Sequence, residues 1–223
     1  MSNLGFLHTH YLPASLVSEK QLNAIIAVEY YPNLQNNYYN DFEFFSDIRD
    51  CILWHKEKYR NQNVKFTIEN ISVLKDPNYL YWAKQNGLIS VQLYHYGSNE
   101  YFDEHYGLTL KGKKLLKVIR DCDLYLDLSH LNDYYVNKVS ECFSGKLIMS
   151  HCVCKDIIEV KHPRTNAISK CTIIALAKKN CVFGIPFIND LVCNISHDTF
   201  ENDEIIMNDI TSQIVLFSNL VGA

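Results

Sequence analysis

The sequence predicts an α/β fold, a (β/α) barrel of TIM type, and three observations carry that expectation. Short apolar runs alternate with amphipathic stretches almost from end to end, the pattern of strand–helix units built around a parallel sheet. Two of the runs close alike, Leu124-Tyr125-Leu126-Asp127-Leu128-Ser129-His130 and Lys146-Leu147-Ile148-Met149-Ser150-His151. Roughly twenty residues separate them, the length of a βαβ step, so both histidines should leave neighbouring parallel strands at the same end. Finally, the longest irregular stretches, 11–23, 96–108 and 152–168, each follow a predicted strand, as the loops of a barrel's active face do.

Taken in order, strands are expected at 4–8, 24–30, 64–69, 89–94, 124–128, 146–150 and 182–187. Between them, Asp41–Tyr59 sets Phe44, Phe45, Ile48, Cys51, Ile52 and His55 on one helical stripe. Asn78–Asn86 reads as a short helix stopped by Gly87, a residue suited to the position after a helix. Thr109 is a candidate N-cap for a helix with Leu115, Leu116, Val118 and Ile119 on its buried side. Asn132 or Asp133 opens the next helix, and Ser169–Lys179 and Asn202–Leu220 supply two more. With no internal repeat, low-complexity segment or linker, residues 1–223 read as a single domain. Seven strands are one short of a closed eight-stranded barrel, so the eighth is expected to be missing.

At 223 residues and 48% hydrophobic, the chain can bury a full core. Its net charge of −4 and the lack of a basic cluster argue against a nucleic-acid groove and against an anionic membrane surface. A core strand reached by residue 6 leaves no room for a signal peptide, and no apolar run approaches the roughly twenty residues a bilayer requires. The expected location is therefore cytoplasmic, with the eight cysteines as reduced thiols. Cys51, Cys122, Cys142 and Cys181 lie in or beside apolar runs and are expected as small core residues.

Five strand ends carry metal-binding chemistry. His8-x-His10 puts two imidazoles on the same side of a strand, because alternation has period two, and the pair can grip one cation. Glu69 closes Val64-Lys65-Phe66-Thr67-Ile68 and can bridge two cations, while His130 and His151 can hold the second. His95 ends a further run, Ile89-Ser90-Val91-Gln92-Leu93-Tyr94. Two cations about 3.5–4 Å apart make a shared water nucleophilic near neutral pH, suited to attack on a carbonyl or phosphoryl centre. A lone strand-end histidine is more often a hydrogen-bonded surface or core residue; the joint pattern is what points to metal. His55, His105, His162 and His197 fall on helix or loop stretches and read as solvated residues. Cys152-x-Cys154 offers an alternative thiolate site.

Residues 107–166 add a resemblance. Gly107-Leu108-Thr109, Gly112, Asp127-Leu128-Ser129-His130, Ser150-His151 and Arg164 together resemble the membrane (renal) dipeptidase family of zinc metallopeptidases, with its GLTxxG segment, IDLSH strand, second SH strand and downstream Arg-Asn. Thr67-Ile68-Glu69-Asn70 and Leu93-Tyr94-His95 are similar to that family's IEG and LTH motifs, and His8-Thr9-His10-Tyr11-Leu12-Pro13 stands where it has HxDxP-like residues. The resemblance implies a metallo-dependent hydrolase barrel that hydrolyses a dipeptide. It implies one zinc on His8, His10 and Glu69 and another on Glu69, His130 and His151, His95 polarising the scissile carbonyl, and Arg164 binding the substrate's terminal carboxylate. His10 replaces the family's aspartate, Ile188 stands where a tyrosine is expected, and the chain ends at Ala223, before the strand that supplies a catalytic aspartate.

Three functions follow as expectations. The leading one is a dipeptidase-like metallohydrolase acting on a small peptide, with zinc or another divalent metal. The second is an inactive or truncated homologue that binds metal or a partner, the open barrel edge being covered by another copy or a different protein. The third, a His-x-His phosphoesterase, lacks a late Asp-x-His motif.

Overall fold

Strands form where β-branched and aromatic residues concentrate, and all seven predicted strands are present. A computed structural model describes residues 7–9, 23–28, 48–58, 60, 63–69, 71–74, 76–95, 97–157, 167–186 and 203–222. The chain divides into two units, one of residues 1–93 and 97–125, the other of residues 94–96 and 126–223.

In the first unit, β1 (Leu7–Thr9), β2 (Asn23–Val28), β3 (Asn63–Ile68) and β4 (Leu88–Gln92) pair in that order, all parallel. The register slips between Phe66 and Thr67, which face Leu88 and Ser90 of β4. Most of β4 is buried, as expected of a parallel strand covered on both faces. Helix α1 (Ile48–Lys58) packs on β2, with Ile52 fully buried; residues 41–47 of the predicted helix lie outside the described residues. Helix α2 (Tyr79–Gln85) packs on β4 through its buried Leu80 and Ala83, and Gly87 ends it at φ +103° as predicted.

The stretch 96–108, read as irregular from the sequence, contains a small antiparallel pair, β5 (Phe102–Asp103) and β6 (Gly107–Leu108). It is anchored by Tyr101, whose hydroxyl donates to the Leu74 carbonyl at 2.6 Å. Thr109 caps α3 (Leu110–Asp121) by accepting from the Gly112 amide at 3.0 Å. Gly112 is needed there, since a Cβ would lie 2.0 Å from the Tyr101 carbonyl oxygen.

Strand β7 (Tyr125–Asp127), whose Leu126 and Asp127 belong to the second unit, lies beside β8 (Lys146–Met149), and β8 pairs parallel with β11 (Val182–Phe183). Asn132 caps α4 (Asp133–Cys142) and Ser169 caps α5 (Lys170–Ala177), each accepting a backbone amide three residues on. Helix α6 (Asp203–Val221) packs on α5, and α5 packs on α4. Ile210, Gln213 and Phe217 form the buried face of α6. Gln213 reaches the backbone of a second short pair within 152–168, β9 (Val153–Cys154) and β10 (Ala167–Ile168), where its Oε1 accepts from the Cys154 amide at 2.8 Å.

Of the cysteines expected in the core, Cys122 is buried and Cys181 half-buried, but Cys142 is exposed. It lies off the buried stripe of Val136, Val139, Ser140 and Phe143 at the outward end of α4. Among the described residues, no helix is long and apolar enough to cross a membrane.

Candidate functional site

Strand alternation in the first unit places Thr67 and Glu69 on the side of β3 opposite Phe66 and Ile68, and all four are buried. Thr67 faces Ser90 of β4, with the two hydroxyls 2.6 Å apart. Gln92, also on β4, is 1% exposed and Glu69 4%. Four buried polar side chains on two adjoining strands are costly to desolvate, and such placement points to a functional interior. His8 is the central residue of β1, paired with Ile25 of β2. His10, Arg164 and Ile188 lie outside the described residues.

The second unit gathers three of the predicted histidines. The rings of His95 and His130 meet edge to face with centroids 4.5 Å apart, and those of His130 and His151 at 5.0 Å. Nε2 of His130 and Nε2 of His151 are 3.0 Å apart. Nδ1 of His151 lies 2.7 Å from the Ser150 hydroxyl. His95 is nearly buried, at 8% exposure, whereas His105, read as solvated, is 77% exposed.

One carboxylate ties the two strand ends together. The Asp127 carboxylate, 1% exposed, accepts the Ser129 amide at 2.9 Å and the Ser150 amide at 3.2 Å through one oxygen, Oδ1. Ser129 Oγ lies 3.3 Å from Ser150 Oγ and accepts the His151 amide at 3.3 Å. The Ser-His endings and Asp127 are visible in the sequence; the hydrogen bonds by which Asp127 joins the two endings are not. Beyond β7, the Leu131 amide donates to the Leu128 carbonyl at 3.2 Å, closing a four-residue turn. His130 occupies the turn's third position with φ +68°, where glycine or asparagine is favoured. Holding histidine in this left-handed region costs on the order of 1–2 kcal/mol, and backbone outliers of this kind concentrate at functional sites.

The donor chemistry suits a divalent cation. Among the described residues, His130 and His151 offer imidazole donors in the second unit, and Glu69 offers a buried carboxylate past the end of β3 in the first. Two nitrogens bound tetrahedrally at about 2.0–2.1 Å sit about 3.3 Å apart, close to the 3.0 Å between the two Nε2 atoms. The thiols fit less well. Burial pushes the Cys152 thiol far up, with Cys181 and Asp127 adding to it, and burial likewise raises Cys154 and Cys181. A thiol raised in this way is costlier to ionise, which weighs against a thiolate site at Cys152 and Cys154.

No family model and no curated protein matches the chain. Solved structures do. An amidohydrolase from Pseudomonas aeruginosa aligns at a TM-score of 0.69 with 16% identity, covering 97% of this chain and 69% of that one. A metallopeptidase from Rhodobacter sphaeroides, liganded with a phosphinate mimic of the dipeptide L-Ala-D-Ala, aligns at 0.58 with 14% identity over 78% of this chain and 57% of its own. A probable dipeptidase from Pseudomonas aeruginosa aligns at 0.58 with 14% identity over 79% of this chain. The chain thus spans little more than half the length of these two peptidases, 57% and 52%. Likeness at this identity establishes architecture alone, and the architecture is the one expected from the sequence: the chain has an α/β fold of the (β/α)-barrel type.

Proposed function

We propose that the chain is a metallohydrolase that binds divalent metal through Glu69, His130 and His151 and cleaves the amide bond of a dipeptide or a similarly small substrate. The observation that carries this reading is the facing pair of imidazole nitrogens, 3.0 Å apart, with the other ring nitrogen of His151 on a serine hydroxyl. Ligating histidines are oriented in just this way, through a partner on the nitrogen that does not bind. The fold supports joining Glu69 to the pair, because a (β/α) barrel brings the C-terminal ends of its strands to one face, and all three residues follow strands directly or within a short turn.

In this reading His8 and His10 hold a second cation with Glu69. Zinc is the metal that imidazole and carboxylate donors suit, though the same donors accept other divalent ions. A cation so held supplies Lewis acidity and makes water nucleophilic near neutral pH. His95, edge-on to His130, polarises the scissile carbonyl by donating a hydrogen bond to its oxygen as negative charge develops there. Arg164 pairs with the substrate's terminal carboxylate through its planar fork. The dipeptide-mimic complex of the Rhodobacter peptidase and the probable dipeptidase favour a peptide over a phosphate ester.

Metal analysis of the purified protein and turnover at neutral pH test the proposal together. Bound divalent metal and hydrolysis of an alanyl dipeptide, without hydrolysis of a phosphate monoester, are expected. A chain that binds no metal, or that cleaves the phosphate ester and not the dipeptide, overturns it.

A further inference from the structure

We propose that Ser150 is a positioning residue, whose hydroxyl accepts the Nδ1–H of His151 and so commits Nε2 to present a lone pair to a cation. This rests on the metal reading above and adds a residue to it. The two ring nitrogens of His151 face different groups: Nδ1 lies 2.7 Å from Ser150 Oγ, and Nε2 lies 3.0 Å from Nε2 of His130. A neutral imidazole carries one N–H, so the partner at Nδ1 decides the state of Nε2. If Ser150 accepts, Nε2 is the lone-pair atom facing His130. If Ser150 donates instead, an N–H occupies the atom that a cation needs.

The surroundings hold the hydroxyl in the accepting role. The Ser150 amide is fixed on Asp127 Oδ1 at 3.2 Å, and that oxygen also takes the Ser129 amide at 2.9 Å. Ser129 Oγ, 3.3 Å from Ser150 Oγ, offers an acceptor for the Ser150 proton, leaving the Ser150 lone pairs to the imidazole. Gly184 packs closely against the Ser150 backbone, where a Cβ would lie 2.0 Å from the carbonyl oxygen. The Ser150 hydroxyl sits where metal-binding proteins place the partner that chooses which nitrogen of a histidine is exposed.

Two measurements test the role. Long-range ¹⁵N–¹H correlation spectra of the cation-free protein read the tautomer directly: His151 should be protonated at Nδ1 in the wild type, and Ser150→Ala should populate the Nε2–H form. Competition for zinc against a chromophoric chelator should show affinity weakened about 10–100-fold in Ser150→Ala, with Ser150→Thr, which keeps the hydroxyl, close to wild type. An Nε2–H tautomer in the wild type, or wild-type zinc affinity in a folded Ser150→Ala, overturns the proposal. A wild-type chain that binds no divalent cation sinks the metal reading instead, and the wild-type tautomer then decides the role of Ser150 alone. Should Ser150→Ala fail to fold, the wild-type spectrum and the Ser150→Thr affinity still decide it.

Discussion

Glu69 and His95 both sit past the ends of β-strands and both are nearly buried, yet their proposed tasks differ enough to be separated by substitution. A carboxylate that holds cations is needed before any chemistry occurs. Glu69→Ala should therefore lower metal content and abolish dipeptide hydrolysis together, by metal analysis and turnover on the same preparation; turnover retained in that variant would refute the bridging role. A donor to the developing oxyanion acts later. His95→Ala should keep its metal and lose about 10²–10³-fold in kcat. At this scale the sequence was informative about donors and silent about their supports. His130 and His151 stand out because each closes an apolar run. Asp127 stands inside the motif that carries the resemblance, and its bond to the Ser129 amide is local, but its bond to the Ser150 amide, which follows another strand, has no signal in the sequence.

Elements whose signals are local were legible for the same reason. Thr109 is legible as a helix cap, and Asn132 and Ser169 fall at predicted helix starts, because a capping oxygen satisfies an amide only three residues away. The pairs β5–β6 and β9–β10 escaped notice, since strands of two residues are too short to show a period. Asp133 joins two of the capped elements. Its Oδ1 accepts the Ser169 amide and hydroxyl, both at 2.9 Å, and the Thr172 hydroxyl, while Oδ2 pairs with Lys155. Burial pushes this carboxyl up, but the hydrogen bonds from Lys155, Thr172 and Ser169 together outweigh it and hold the pKa below the ordinary value. With the folded pKa depressed, the stabilisation is complete above the unfolded value near 3.9 and is lost as pH falls through the folded value. Asp133→Asn should thus be less stable than wild type at pH 7, with the difference shrinking below about pH 4, as urea unfolding at each pH would show.

For the whole molecule, the seven strands and the barrel fold followed from alternating runs and loop placement, signals that persist at 16% identity to the amidohydrolase. His10, and Arg164, which is carried by the resemblance alone, lie outside the described residues. A cation bound only by the folded chain stabilises it by about 2.7 kcal/mol at a hundredfold excess over Kd. Chelation should accordingly lower Tm by about 5–10 °C for a chain of this size, and added zinc should restore it; an unchanged melting curve would argue against a cation bound in the native state. The single carboxylate oxygen shared by the Ser129 and Ser150 amides has a kinetic meaning as well. Both amides lie past the ends of their strands and donate to that oxygen, so opening the Asp127 contact exposes both to solvent in one event. In native-state hydrogen exchange the two amides should be lost at a common rate, reporting the opening of β7 and β8 as one local unit. Zinc should slow that rate without altering exchange in α1.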